Sequence, residues 1–284
     1  MIKGLVNRLT LAFVAFASAA SAQVDKSGQE TTRRRDDLLF QLANDSFKDG
    51  NYYTAAVDFE RLVMDFPNSP HNARAREMIF ESCFQLMKAG SPAEVLGLEI
   101  PFILTRERGL SLLRKALQRY PAEKFTPDYH MKLAEYFYDE REWDQAELEY
   151  RTIVELYPGS THAAEAVMGL AHASERKFKG VAYDAEPLRE AKRQYERFKD
   201  EFAQHKSIAE QADAKLKLIN ELLAKKDYEV AEYYVGREMV RSARFMFEEV
   251  RRRFPETEWA KKARARLEAL PVPEPLPPDP KPKR

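Results

Sequence analysis

The residues best able to do chemistry are few and scattered. Five histidines, His71, His130, His162, His172 and His205, never fall at i and i+4, so no helix offers two imidazoles to one metal ion. The patterns HExxH, CxxC, GxSxG and GxxxxGK followed by Ser or Thr are all missing from the sequence. That removes the usual zinc, nucleophile-elbow and phosphate-loop constellations. Cys83, the single cysteine, sits at a small position of an apolar helical stretch, where a buried filler is expected and not a nucleophile. Acidic pairs abound on charged helical faces, where solvation outweighs general acid–base work. The expectation is a non-enzyme without a cofactor or a metal site.

Composition narrows the alternatives. The 284 residues carry 46 Lys+Arg against 46 Asp+Glu, a formal net charge of zero. Without a basic excess there is no electrostatic case for a nucleic-acid partner. Apolar residues make up 44% and charged residues 32%, enough for a core beneath a densely charged surface. Ten glycines and one cysteine speak against a phosphate-loop enzyme or a disulfide scaffold. The Ala, Leu, Glu, Lys and Arg content favours helix.

Both ends differ from the middle. Lys3 and Arg8 precede the apolar run LTLAFVAFASAA (9–20), and Ala20-Ser21-Ala22 follows it. A cationic start, a short apolar stretch and a small-x-small close predict a secretory signal cut between Ala22 and Gln23. The run is shorter than the roughly 20 residues a membrane span needs. Removing residues 1–22 takes Lys+Arg from 46 to 44 against 46 Asp+Glu, a net charge of −2. Export would leave Cys83 a free or intermolecular thiol. No cysteine follows the cut, so no lipid anchor is expected, and any membrane association would run through partners. At the other end PVPEPLPPDPKPKR (271–284) holds seven of the sixteen prolines. It reads as an extended, solvated spacer, and its composition also suits a groove that accepts polyproline.

The middle repeats. GNYYTAAVDFERLVMDFPNS (50–69), REWDQAELEYRTIVELYPGS (141–160) and EMVRSARFMFEEVRRRFPET (238–257) align without gaps. Each carries a small residue (Ala55, Ala146, Ala243), an aromatic four on (Phe59, Tyr150, Phe247) and an aliphatic three further (Leu62, Ile153, Val250). Positions i, i+4 and i+7 share one helical face, where alanine admits a close partner helix and the ring fills the space beside it. Each segment closes on aromatic-Pro-x-Ser/Thr. Proline stops the helix, and the Ser or Thr is expected to cap the next one. Pro70 and Pro127 suit first helical positions. Leu42-Ala43, Leu133-Ala134 and Val230-Ala231 mark the preceding helix of each pair.

These are the marks of tetratricopeptide repeats, helix–turn–helix units of about 34 residues. Two weaker copies pair helix 71–89 with helix 106–119, across an insertion at 91–105, and helix 161–177 with 185–202. Helical residues 207–225 lead into the fifth repeat, and helix 257–269 caps the end. The expected fold is all-α, a tetratricopeptide-repeat superhelix of about five helix pairs over 36–270, with 23–35 a short linker and no sheet. In such arrays the first helices line a groove. Counting from the repeats gives Asp37, Phe40, Asn44, Phe47 and Lys48, then Glu77, Phe80, Phe84, Met87 and Lys88, then Asp128, Met131, Glu135, Tyr138 and Asp139. Of these Phe40, Asn44, Phe47, Phe80, Phe84, Met87, Met131 and Tyr138 are the candidates for holding an extended peptide. Asn44 matches one position of a carboxylate clamp, but Phe40 stands where that clamp needs a cation, so the clamp is not expected.

The segment KDYEVAEYYVGREMVRSARFMFEEVRRRFPETEWAKKARARLEAL (226–270) resembles the last repeat of BamD-like proteins, helical lipoproteins of the bacterial β-barrel assembly machinery. GVAYDAEPLREAKRQYERFKDEFAQHKSIAEQADAKLKLINELLAKKDYEVAEYY (180–234) is similar to their fourth repeat and linking helix, and FKDGNYYTAAVDFERLVMDFPNSPHNARA (47–75) fits their first. The resemblance implies a non-catalytic envelope scaffold in the periplasm, at the inner face of the outer membrane, that binds assembly components or unfolded barrel-protein peptides. Two features depart from that family: Gln23 stands where its members carry the lipidated cysteine, and 91–105 interrupts the second repeat. The alternative is a periplasmic Tol–Pal-associated coordinator of cell-wall synthesis and envelope constriction, exported without a lipid.

Overall fold

A computed structural model describes the backbone of residues 28–89, 94–95, 98–99 and 102–272, with side chains over 35–89 and 105–272. The expected signal with its Ala22–Gln23 cut and the proline-rich tail from 273 lie outside the described residues. Two compact units divide the chain, Met1–Glu123 and Lys124–Arg284.

The first unit holds two helix pairs: α1 (Gly28–Lys48) with α2 (Tyr52–Asp65), and α3 (Asn72–Lys88) with α4 (Phe102–Arg119). The second holds three pairs, α5 (Thr126–Asp139) with α6 (Trp143–Leu156), α7 (Ala163–Arg176) with α8 (Glu186–Glu201), and α9 (Lys206–Gly236) with α10 (Val240–Arg253). Helix α11 (Glu258–Ala269) closes it. Within each unit, packing runs chiefly between helices consecutive in sequence, and α11 also touches α9. Each pair therefore buries its apolar face on the next, the organisation of a repeat array.

The repeated triads do what their spacing predicts. Ala55, Phe59 and Leu62 are buried, as are Ala146, Tyr150 and Ile153, and Ala243, Phe247 and Val250. Burying each ring is worth about 1.5–3 kcal/mol. The fourth copy obeys the same rule through Ala191, Tyr195 and Phe198. Helices α2, α6 and α10 end in one geometry, with φ of −127°, −128° and −132° at Phe66, Tyr157 and Phe254, the residues before Pro67, Pro158 and Pro255. Proline disfavours the α region in the residue before it. Phe202 has φ −127° ahead of Ala203, so packing imposes the same stop without the proline.

Several expectations need correction. Helix α1 starts at Gly28, about two turns before the linker was expected to end; Gln29 to Lys48 contain no Gly or Pro to halt it. The region expected to lack strands holds a small antiparallel hairpin, Glu94–Val95 against Leu98–Glu99. Residues 102–105, assigned to the insertion, already belong to α4. Among the expected caps only Thr257 accepts a backbone hydrogen bond from its helix, from the Ala260 N–H at 3.2 Å. Ser69 and Ser160 accept through their main-chain carbonyls from the N–H groups of Asn72 and Ala163, and the Ser69 hydroxyl accepts at 3.3 Å from the His71 N–H ahead of the helix, because a turn intervenes before α3 and α7. Pro70 lies in that turn, whereas Pro127 does fall in the first turn of α5.

Candidate protein-docking faces

In the first unit, α1 presents its predicted groove side chains half-exposed. The Phe40 ring stacks on His71 with centroids 4.4 Å apart and planes 8° from parallel, and meets Phe59 edge-on at 5.8 Å. The His71 Nε2 lies 2.6 Å from Asp37 Oδ1, so the start of the second repeat is tied to the first turns of α1. Phe47 contacts Tyr52 edge-on at 5.3 Å. Asn44 donates from Nδ2 to the Phe40 carbonyl at 2.7 Å, which commits that amide to its own helix.

The second set of predicted groove residues has a different fate. Phe80, Phe84 and Met87 are buried; they are core side chains of the first unit and form no open wall. The cause is visible in α4. A Cβ on Gly109 would lie 2.5 Å from the Met87 backbone nitrogen and 3.0 Å from the Cys83 carbonyl oxygen. Glycine thus lets α4 lie directly on the α3 backbone. Gly109, Leu113 and Ala116 keep the i, i+4, i+7 spacing with a small first residue, but leucine replaces the aromatic and alanine the aliphatic, which hides the signal in the sequence. Cys83 is buried, and desolvation followed by the nearby Glu60 charge pushes its thiol up to about 12. That keeps it protonated and unreactive at neutral pH.

In the second unit Met131 is buried, so it too leaves the candidate face. Tyr138 is half-exposed, edge-on to Trp143 at 5.0 Å, and its hydroxyl accepts from Arg176 Nε at 3.2 Å. A second set of ties joins α7, α8 and α9. The Tyr195 hydroxyl donates to Glu175 at 2.9 Å, and Lys215 Nζ reaches the same carboxylate at 2.9 Å. His172 lies edge-on to Tyr195 at 5.8 Å. Burial, reinforced by the Lys215 charge, holds its pKa below the ordinary imidazole value. Sequence reasoning missed this cluster, because Glu175 and Lys215 stand 40 residues apart with no repeated pattern to link them.

One contact recurs in register. Asp37 pairs with His71 and Asp128 with His162, each 34 residues apart, at 2.6 and 2.9 Å. Aligning the third triad on Ala243 puts Lys225 and Trp259 at those positions, and Lys225 Nζ sits 5.9 Å from the Trp259 ring. An imidazole–carboxylate pair and a cation–π pair thus occupy equivalent places between successive first helices. Such partly exposed contacts contribute about 0–1 kcal/mol each, enough to favour one register and too little to hold the fold.

Among the described residues, no cluster of His, Cys, Asp and Glu could hold a metal ion, and no helix is long and apolar enough to cross a membrane. Stacked helix pairs with half-exposed aromatic first helices define an all-α, tetratricopeptide-type repeat scaffold. The family described as "YfiO: Outer membrane lipoprotein" matches residues 107–271, more than half of the chain, and the protein belongs to that family. Among solved structures it is similar to "Crystal Structure of the Yeast Tom70" at 17% identity and a TM-score of 0.33, covering 88% of this chain and 45% of that one. The chain therefore spans less than half the length of that structure. No curated protein matches it.

Proposed function

We propose that the protein is a non-catalytic scaffold of the bacterial envelope, acting at the periplasmic side of the outer membrane. In this reading it helps barrel proteins assemble by holding assembly components or their unfolded segments. The observation that carries it is the family match over 107–271. That stretch takes in all of the stacked helices of the second unit. Each unit would offer its own peptide-facing surface, the half-exposed Phe40 and Phe47 beside Asn44 on the first and Tyr138 on the second, since large rings beside fixed charges suit the side chains of an extended segment. Phe80, Phe84 and Met87 in the first unit and Met131 in the second are buried and belong to the cores. Partners, and not a span of this chain, hold the protein near the membrane.

The test is photo-crosslinking in cells from an amino acid placed at Phe47 or Tyr138, followed by mass spectrometry. Recovery of barrel-assembly components or unfolded barrel segments supports the reading. Recovery of Tol components in their place overturns it in favour of a coordinator of envelope constriction.

A further inference from the structure

The second unit carries a cleft that its repeat packing does not explain. Helix α9 and the loop before α8 enclose about 230 Å³ between Val181, Ala182, Lys226, Glu229, Val230 and Tyr233. The loop is fixed in place, because Lys226 Nζ donates to the carbonyls of Val181 and Tyr183 at 2.8 and 2.5 Å. Tyr233 lines the cleft and is 58% exposed, and Tyr183, next in sequence to its Val181-Ala182 wall, is 60% exposed. Tyr234 meets Tyr233 edge-on at 5.8 Å, and the Arg237 guanidinium lies 5.3 Å over the Tyr233 ring. Small aliphatic side chains beside a presented tyrosine are the chemistry that receives proline-rich segments. Such segments come already extended and lose little entropy on docking.

The chain itself supplies a ligand of that class. Residues 273–284, outside the described residues, read PEPLPPDPKPKR, with six prolines in twelve positions. They leave α11 beside the end of α9, since Arg266 and Glu232 are paired at 2.8 Å and the Arg244 side chain donates to the Leu270 carbonyl at 3.0 Å. Twelve residues at polyproline spacing reach about 37 Å. The stretch of α9 from Arg237 back to Lys226 is about 16 Å long, so the tail spans it with length to spare. Charge gives the same direction. Glu274 leaves α11 first, on the side of Arg237, and Lys281, Lys283 and Arg284 follow toward Glu229. That carboxylate is half-exposed, with only a 3.8 Å pairing to Lys225.

We propose that residues 273–284 dock in this tyrosine-lined cleft of their own chain and run antiparallel to α9. Leu276 and Pro277-Pro278 lie against Tyr233, and the basic end lies at Glu229. The proposal rests on the second unit alone and stands whether or not the protein acts in barrel assembly.

Purified full-length protein carrying a photo-reactive phenylalanine at Tyr233 tests it. The expected product is an intramolecular cross-link to a peptide within 271–284. Changing Pro277 and Pro278 to Ser in the same protein should lower that yield about tenfold, the loss of one well-seated anchor. Circular dichroism unchanged by the substitution will show that the helices are intact. Cross-links confined to other segments overturn the proposal. So do cross-links that form only between two chains, which would assign the tail to a second copy. A yield indifferent to the proline changes overturns it as well, because tethering alone would then explain the contact.

Discussion

The two units solve one packing problem by different means. The first relies on apolar contact: Phe59, Phe80, Met87 and Leu113 are fully buried, and Gly109 removes the side chain that would keep α4 off α3. Its ion pairs are partly exposed, as Arg119 with Glu60, or half-buried, as Arg76 with Glu123. The second threads polar ties among its helices: His130 Nδ1 lies 2.8 Å from Glu149, both buried, and Asp227 binds Arg253 at 2.9 Å. Tyr195, Glu175 and Lys215 form a third tie. An apolar interface tolerates sliding, whereas a buried polar group left without its partner is costly, so the second unit is held more closely to a single register. The family match falls mostly on that unit.

The largest effects should come from the closest approaches. Valine at Gly109 places carbon atoms where the Met87 backbone already stands, and a backbone cannot rotate away. Gly109→Val should cost about 3 kcal/mol, and Ala146→Leu, at the same small position of the second unit, about 1–3 kcal/mol. Denaturant unfolding with hydrogen exchange reads both. Lost protection should fall on α3 and α4 in the first case, and on α5 to α7 in the second. An unchanged midpoint for Gly109→Val would show that α4 does not rest on the α3 backbone.

How much of this was legible in the sequence follows from the same contrast. The alanine–aromatic–aliphatic triads and their prolines announced α2, α6 and α10 and the helices before them, because packing at i, i+4 and i+7 leaves a periodic trace. Gly109 was overlooked since its triad has no ring. The groove was half legible. Counting along the first helices assigns one face to each, but residue type does not tell a ring open to solvent from one covered by the next helix. Hence Phe40 and Phe47 are half-exposed while Phe80 and Phe84 are core. The polar ties of the second unit left no pattern, because one carboxylate meeting one amine 40 residues away has no period. Thr257 caps its helix, while the two serines do not for a local reason: the residues after Ser69 and Ser160 make an additional turn, so each serine lies outside its helix.

The recurring His–Asp contact offers a finer comparison. In the first unit His71 touches both Asp37 and the Phe40 face, whereas Met131 occupies the place of Phe40 in the second, and His162 meets the carboxylates of Asp128 and Glu165. His71→Leu should therefore destabilise more than His162→Leu, by about 0.5–1.5 kcal/mol for the lost ring stack. The carboxylate part of either loss should fade at 1 M salt, which isolates the ring stack. Thermal melts of the two variants at low and high salt read the difference. Equal losses at both salt concentrations would mean that the stack on Phe40 contributes nothing.

The smallest effect concerns acid. His172 is half-buried, and its desolvation and the Lys215 charge disfavour the imidazolium, with the Glu175 carboxylate opposing them. A pKa held below the unfolded value means that the folded chain takes up its proton later than the unfolded one. The associated stability is intact above the ordinary imidazole range and drains away as pH falls through that range toward the depressed folded value. His172→Phe keeps the edge-on contact with Tyr195 and deletes the titration. Its melting temperature should therefore fall less than wild type between pH 7.5 and pH 5.5, both values set about one unit either side of the ordinary imidazole pKa. An identical fall in the two proteins would place the acid sensitivity elsewhere than at His172.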